Sequence, residues 1–209
     1  MKLIFATSNA HKLEEVQAVL PAHIRLSGLH DLGYYDEIEE YGDTLEENAL
    51  IKARFIHQKY GQNVFSEDTG LEIKALKGAP GVITARYAGP QKDNEMNMDL
   101  VLSQLVDHKD RTARFRAVIA LIMDNKEYLF EGILNGKISY VKKGEHGFGY
   151  DPIFIPEDYD QTSAELGSIV KNQISHRTRA LQKMLNPHCA NYLNELSLKV
   201  KVGTKLLLF

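Results

Sequence analysis

The chain alternates short apolar runs with segments of helical periodicity. Leu3-Ile4-Phe5-Ala6 is an unbroken apolar run that predicts a buried strand, and beyond the polar pair Ser8-Asn9 the residues Leu13, Val16, Val19 and Leu20 fall on one side of a predicted helix. Thr44-Leu45-Glu46-Glu47 has the form of a capping box, in which a Thr hydroxyl and a Glu carboxylate satisfy backbone donors reciprocally. It predicts a second helix ending at Gly61, with Asn48 and Lys52 one turn apart on a common face. Val64-Phe65-Ser66 and Leu71-Glu72-Ile73 read as two short strands, which makes the intervening Glu67-Asp68-Thr69-Gly70 an acidic turn.

Gly78-Ala79-Pro80-Gly81 predicts a loop, 94–106 a helix, and 112–123 and 127–134 two strands that pair as a hairpin across Asp124-Asn125-Lys126. Gly147-Phe148-Gly149-Tyr150-Asp151-Pro152 predicts another loop, and 176–185 a helix with Ala180, Leu181 and Leu185 as its apolar stripe. Strands alternating with helices, but including hairpins, imply an α/β fold with a mixed, partly antiparallel sheet flanked by helices. No internal repeat or linker divides the chain, so 1–195 is expected to form a single domain, built as two lobes with the active site in the cleft between them. In the tail, 196–209, to which no role is assigned, Leu196, Leu198, Val200 and Val202 alternate with polar residues and favour an added strand, with an oligomer contact or a disordered end as the alternatives.

With 209 residues, 44% of them hydrophobic, the chain can bury a sizeable core. The 25 Lys plus Arg against 28 Asp plus Glu give a formal net charge of -3, which excludes a global basic field for holding a nucleic-acid polymer. The single cysteine, Cys189, cannot form an intrachain disulfide, which fits a reducing, cytoplasmic setting. No segment approaches the roughly 20 apolar residues of a membrane helix, and the first apolar run is too short for a signal peptide.

Five clusters can carry chemistry. Thr7-Ser8-Asn9-Ala10-His11-Lys12 joins a strand end to a helix start, where free backbone N–H groups, hydroxyls and a lysine converge as an anion site; Ser8 or Asn9 as a plain helix cap, with Lys12 solvated, accounts for it as well. Glu40 with the Asn48 and Lys52 face offers an acid and a cation for a metal-bound phosphate, although such residues also make an ordinary solvated face. Glu67-Asp68 places two carboxylates together, which favours a bound cation such as Mg²⁺; read locally, an ordinary hairpin turn accounts for it equally well. Phe148, in a glycine-rich loop, suits stacking on a purine, while Tyr150 fits either contact or packing. Lys171-Asn172-Gln173-Ile174-Ser175-His176-Arg177 gathers donors at a helix entrance, where cations are also ordinary surface residues.

Taken in order, these motifs, together with Glu46-Glu47-Asn48-Ala49 and Ala85-Arg86-Tyr87-Ala88-Gly89, closely resemble the inosine triphosphate pyrophosphatase family over residues 2 to about 185. The resemblance implies a homodimer that cleaves ITP, dITP and XTP between the α and β phosphates. It implies a nucleotide-binding segment at Thr7, Ser8, Asn9, Ala10, His11 and Lys12, a phosphate ligand at Lys52, and a substrate contact at Thr69. Glu40 and Asp68 correspond to the Mg²⁺ site, with Glu67 as a further candidate ligand and Asp68 as the proton acceptor. Phe148, Gly149, Tyr150, Asp151, Lys171, His176 and Arg177 correspond to the nucleoside pocket, where a donor from Lys171 or Arg177 would favour the 6-oxo group of hypoxanthine over the amino group of adenine. The family commonly has Asp-Asp-Ser-Gly where this chain has Glu67-Asp68-Thr69-Gly70. Two other readings are a pyrophosphatase for modified pyrimidine nucleotides and a nucleotide-binding module without catalysis.

Overall fold

A computed structural model describes residues 2–185, so Cys189 and the strand expected in 196–209 lie outside the described residues. In chain order the main elements are β1 (Lys2–Phe5), α1 (Ala10–Val19), β2 (Arg25–Ser27), α2 (Leu45–Tyr60), β3 (Val64–Ile73), β4 (Pro80–Gly81), α3 (Asn94–Gln104), β5 (Thr112–Met123), β6 (Lys126–Ile138), β7 (Phe154–Pro156), α4 (Ser163–Ile174) and α5 (His176–Met184). One sheet runs in the order β2-β1-β3-β5-β6-β7, with β4 added to β3. β1 pairs in parallel with β2 and β3 and the remaining pairs are antiparallel, giving the mixed sheet expected.

Local signals explain several boundaries. The Thr44 hydroxyl accepts from the Glu47 backbone and the Glu47 carboxylate accepts from the Thr44 backbone, and Gly61 closes α2 at φ 62, a left-handed conformation that costs glycine little. Asp124 and Asn125 both adopt positive φ, 51 and 60, so a two-residue turn joins β5 to β6 with the twist such hairpins prefer. β6 continues to Ile138, past the end expected from periodicity. The periodicity did not anticipate α4, although Thr162 and Glu165 form a complete capping box at its start; Gly167, at φ 74, interrupts the helical pattern.

The main correction concerns the acidic segment. Glu67-Asp68-Thr69-Gly70 is not a turn but the middle of the ten-residue strand β3, paired one to one with β5 from Val64↔Ile122 to Ile73↔Ala113. Turn propensity yields here to a complete backbone ladder. Gly70 is required by close approach and not by a bend: a Cβ there would sit 2.9 Å from the Gly81 carbonyl oxygen on β4.

Since β3 and β5 keep register without a bulge, alternate residues define two faces. On one face Phe65, Ala117, Ile119 and Leu121 pack against Val16 of α1 and Ala180, Leu181 and Met184 of α5. On the other, Val64, Val118, Ala120 and Ile122 pack against Leu45, Ala49, Ala53 and Ile56 of α2. Nearer the far end of the same strands, Leu71, Ile73, Ala113 and Phe115 join Met98 and Val101 of α3 and the 153–154 segment. β3 and β5 thus run from the first two core clusters into the third, and Glu67, Asp68 and Thr69 lie between them along β3.

Candidate active site

Alternation along β3 separates the two carboxylates: Glu67 and Thr69 project from one face of the strand and Asp68 from the other. On the Glu67 side, Arg177 Nε donates to Oε2 at 2.6 Å and Nη2 donates to Oε1 at 2.7 Å, a bidentate clamp. Lys12 Nζ lies 3.3 Å from Glu67 Oε1, and the Thr69 hydroxyl donates to the same oxygen. Glu67 is therefore ill suited to the metal role considered for it, because a guanidinium occupies the space in front of both oxygens. Burial disfavours its charge, but Arg177 and Lys12 outweigh that cost and hold its pKa well below the usual carboxylate range.

The local fold explains why Arg177 reaches this point. Ser175 caps α5 through its hydroxyl, which accepts from the Thr178 backbone at 3.1 Å, leaving His176 and Arg177 in the first turn and buried. The His176 ring stacks on Phe115 with centroids 4.8 Å apart, and neither of its nitrogens has a partner among the described residues. Burial, reinforced by Arg177, pushes its pKa well below the ordinary value near 6.5.

That depression has a pH signature. Below about pH 6.5 the unfolded chain takes up a proton that folded His176 refuses, so this group's contribution falls as pH falls towards its folded pKa, with a limiting slope of about 1.4 kcal/mol per pH unit. Urea unfolding between pH 5 and 7 is expected to show a flatter pH dependence for His176→Gln than for the parent; parallel curves would show that His176 titrates normally in the fold.

On the Asp68 side, Lys52 Nζ donates to Asp68 Oδ1 at 3.2 Å and to Glu40 Oε1 at 2.5 Å, and Arg86 Nη1 is 4.0 Å from Glu40 Oε2. Asn48, one turn before Lys52, accepts from the Gly42 backbone at 2.8 Å and so ties the loop that carries Glu40 to α2. Burial opposes the Lys52 charge, but Asp68 and Glu40 reverse the effect and raise its pKa. For Asp68 burial dominates over Lys52 and raises the pKa above the ordinary value. Asp68 Oδ2 is buried without a hydrogen-bond partner among the described residues.

Among the described residues no cluster of three or more metal-ligating side chains occurs. Mg²⁺ does not need one, since it commonly binds through one or two protein carboxylates and completes its shell with waters and substrate phosphates. Glu40 and Asp68, joined through a single ammonium and with one Asp68 oxygen unpartnered, fit that pattern.

The third part of the site surrounds Phe148. His11 stacks on its ring with centroids 5.3 Å apart and planes at 11°, and Lys171 Nζ lies 4.4 Å from its centroid. Lys171 donates to Asp151 Oδ2 at 2.6 Å, and that oxygen also accepts from the Phe148 backbone at 2.8 Å. Gly147 adopts φ 83, and a Cβ there would sit 2.2 Å from Asp151 Oδ2, so glycine lets the loop close over this carboxylate. The Tyr150 hydroxyl donates to the Thr84 carbonyl at 2.8 Å, an anchor into the core.

A cavity of about 580 Å³ is lined by every residue to which the resemblance assigns a role except Ala10. At its helix-entrance wall Asn9 performs the capping role as well, its side chain accepting from the Lys12 backbone at 3.1 Å. A hollow of about 750 Å³ lies at the far end of β3, β5 and β6, where Arg114 and Glu72 already pair at 2.7 Å. Residues given no role by the sequence also belong to the region, two of them charged partners of the groups above. Arg86, within a quoted motif, lines the cavity, and Glu15 pairs with Lys171 and Arg177.

Comparison with known proteins places the chain among similar ones. The family model described as the Ham1 family matches residues 3–187. A dITP/XTP pyrophosphatase of Flavobacterium johnsoniae is 47% identical over 186 residues, covering 89% of this chain and 97% of that protein. One from Porphyromonas gingivalis is 48% identical over 185 residues, covering 88% and 95%. The Ham1 protein of Staphylococcus aureus superposes with a TM-score of 0.81 at 36% identity, over 93% of this chain and 100% of that one. A nucleoside-triphosphatase / dITP/XTP pyrophosphatase from Mycobacterium abscessus gives a TM-score of 0.73 at 40% identity, over 89% and 100%.

Proposed function

This chain belongs to the Ham1 family, and on that premise we propose that it hydrolyses the non-standard purine nucleoside triphosphates ITP, dITP and XTP to the monophosphate and pyrophosphate. The observation that carries this reading is one cavity lined both by an aromatic platform, Phe148, and by the linked group Lys52, Asp68 and Glu40.

The purine stacks on Phe148, and the triphosphate runs towards Lys12 and Lys52, which offset its charge. Lys171 has three donors, of which Asp151 and Glu15 take two; Arg177 has five, of which Glu67 and Glu15 take three. Both keep N–H groups for the 6-oxo acceptor of hypoxanthine or xanthine. Thr69 lies beside Glu67 within reach of the substrate channel.

Asp68 Oδ2 accepts a proton from the attacking water. The water oxygen bonds to the α phosphorus, the bond to the α–β bridging oxygen breaks, and pyrophosphate leaves. Burial makes Asp68 a stronger base than a solvated aspartate, which suits the step. Glu40 and Asp68 would hold Mg²⁺, which supplies charge neutralisation and orientation of the phosphates when bound. The resemblance of the motifs supports a homodimer, and the single cysteine supports a reducing cytoplasm. Among the described residues no helix is long and apolar enough to cross a membrane.

The test is an assay that separates pyrophosphate from phosphate across ITP, XTP, GTP and ATP, with and without EDTA. Pyrophosphate and IMP from ITP, a much slower reaction with ATP, and loss of turnover in EDTA are expected. Phosphate as the first product would overturn the cleavage site, and full activity in EDTA would overturn the metal site.

A further inference from the structure

Among the described residues Glu15 is the one acidic side chain that reaches both cations of the proposed base pocket, Lys171 and Arg177. Its Oε1 lies 2.8 Å from Lys171 Nζ, and its Oε2 accepts from Arg177 Nη1; the carboxylate is 16% exposed and the two cations 8% and 2%. The spacing on α1 is suited to this, since His11 and Glu15 are four residues apart and Lys12 and Glu15 three. One side of the helix thus supplies the ring that stacks on Phe148, the ammonium near Glu67, and the carboxylate between the cations.

The contacts form a continuous chain of alternating charge, Glu67–Arg177–Glu15–Lys171–Asp151, which ends on the Phe148 backbone N–H. In such a buried network each partner limits the freedom of the next. Lys171 Nζ and the Arg177 guanidinium carbon lie 4.4 and 5.9 Å from the same Phe148 ring, so without an anion between them two like charges would face each other beside the base platform. No contact of Glu15 extends to Lys52, Asp68 or Glu40 among the described residues.

We propose that Glu15 is a specificity-determining positioning residue, whose carboxylate bridges Lys171 and Arg177 and so aims their remaining N–H groups at the 6-oxo group of the bound purine. The inference rests on the function proposed above. It separates base selection, which depends on Glu15, from metal-assisted chemistry at Asp68, which does not. A group that only joined α1 to α4 and α5 would affect every nucleotide alike. A group that aims donors affects nucleotides with an acceptor at position 6 more than those with an amino group there.

The experiment compares the parent protein, Glu15→Gln and Glu15→Asp in kcat/KM for ITP and ATP, together with the Mg²⁺ activation midpoint and thermal unfolding. Glu15→Gln is expected to lower the ITP to ATP ratio by about tenfold or more, mostly through the KM for ITP, with an unchanged Mg²⁺ midpoint. Glu15→Asp keeps the charge but is one methylene shorter and should fall between. An unchanged ratio with equal losses on both substrates, or a loss confined to kcat with a shifted Mg²⁺ midpoint, overturns the proposal. If Glu15→Gln does not fold, Glu15→Asp decides: a lowered ratio supports the assignment and the parent's ratio overturns it. A parent protein that releases no pyrophosphate from ITP overturns the functional reading itself, and this inference with it.

Discussion

Asp68→Asn is expected to bind ITP about as well as the parent and to lose about 10²–10⁴-fold in kcat, the range a positioned general base contributes. The amide matches the carboxylate in shape, so the strand and its pairing with Val118 need not move. Lys52 keeps Glu40 as a partner at 2.5 Å, which leaves its charge compensated. What disappears is the unpartnered basic oxygen at Oδ2, together with one candidate metal ligand. Pyrophosphate release under saturating Mg²⁺ gives kcat, and displacement of a fluorescent nucleotide gives binding. A kcat within a few-fold of the parent would remove Asp68 from the role of base.

Arg177→Met, by contrast, is expected to act on stability, at a cost of about 3–5 kcal/mol, because it leaves Glu67 buried with its principal counter-charge gone. Lys12, at 3.3 Å, compensates only in part, and Glu15 loses one of its two cations. The low pKa of Glu67 fixes the sign of the pH effect. A carboxylate held below its unfolded value contributes stability above that value and loses it as pH falls through the folded one. At pH 7 the contribution is fully present in the parent, so urea unfolding there measures the whole loss. Adding Glu67→Gln to Arg177→Met should restore part of it, since the unpaired charge is removed. Equal midpoints for the parent and Arg177→Met, or a double variant as unstable as the sum of its parts, would show that the clamp does not carry this energy.

Much of this architecture can be read from local sequence because its signals are local. The caps at Asn9 and Thr44, the closing Gly61 and the Asp124-Asn125 turn act within a few residues, and their elements form where those signals lie. Glu67-Asp68-Thr69-Gly70 has the composition of a turn, but its compensating partners are distant in sequence. Lys52 is 16 residues from Asp68, and Arg177 is 110 residues from Glu67. Strand pairing and two remote cations override the local preference, and no window around residue 67 contains them. The helix α4 was hidden for another reason, since Gly167 breaks its periodicity while the capping box ahead of it remains readable.

The motifs located most of the candidate site without its geometry. Glu15 resembles any charged residue on a solvent-facing helix until α4 and α5 are placed against α1. Adjacency in sequence makes Glu67 a further candidate ligand beside Asp68, whereas a strand places such neighbours back to back.

That back-to-back placement bears on how the site could change over evolutionary time. Two consecutive codons specify groups that face different helices, Glu67 towards α5 and Asp68 towards α2. Under the proposed function, substitutions around the purine can accumulate on one side of the sheet while the side carrying Asp68 is left intact, so the substrate range can drift without loss of the reaction. The same arrangement makes β3 intolerant of a single-residue insertion or deletion, which would exchange the faces and put each carboxylate before the other's partners.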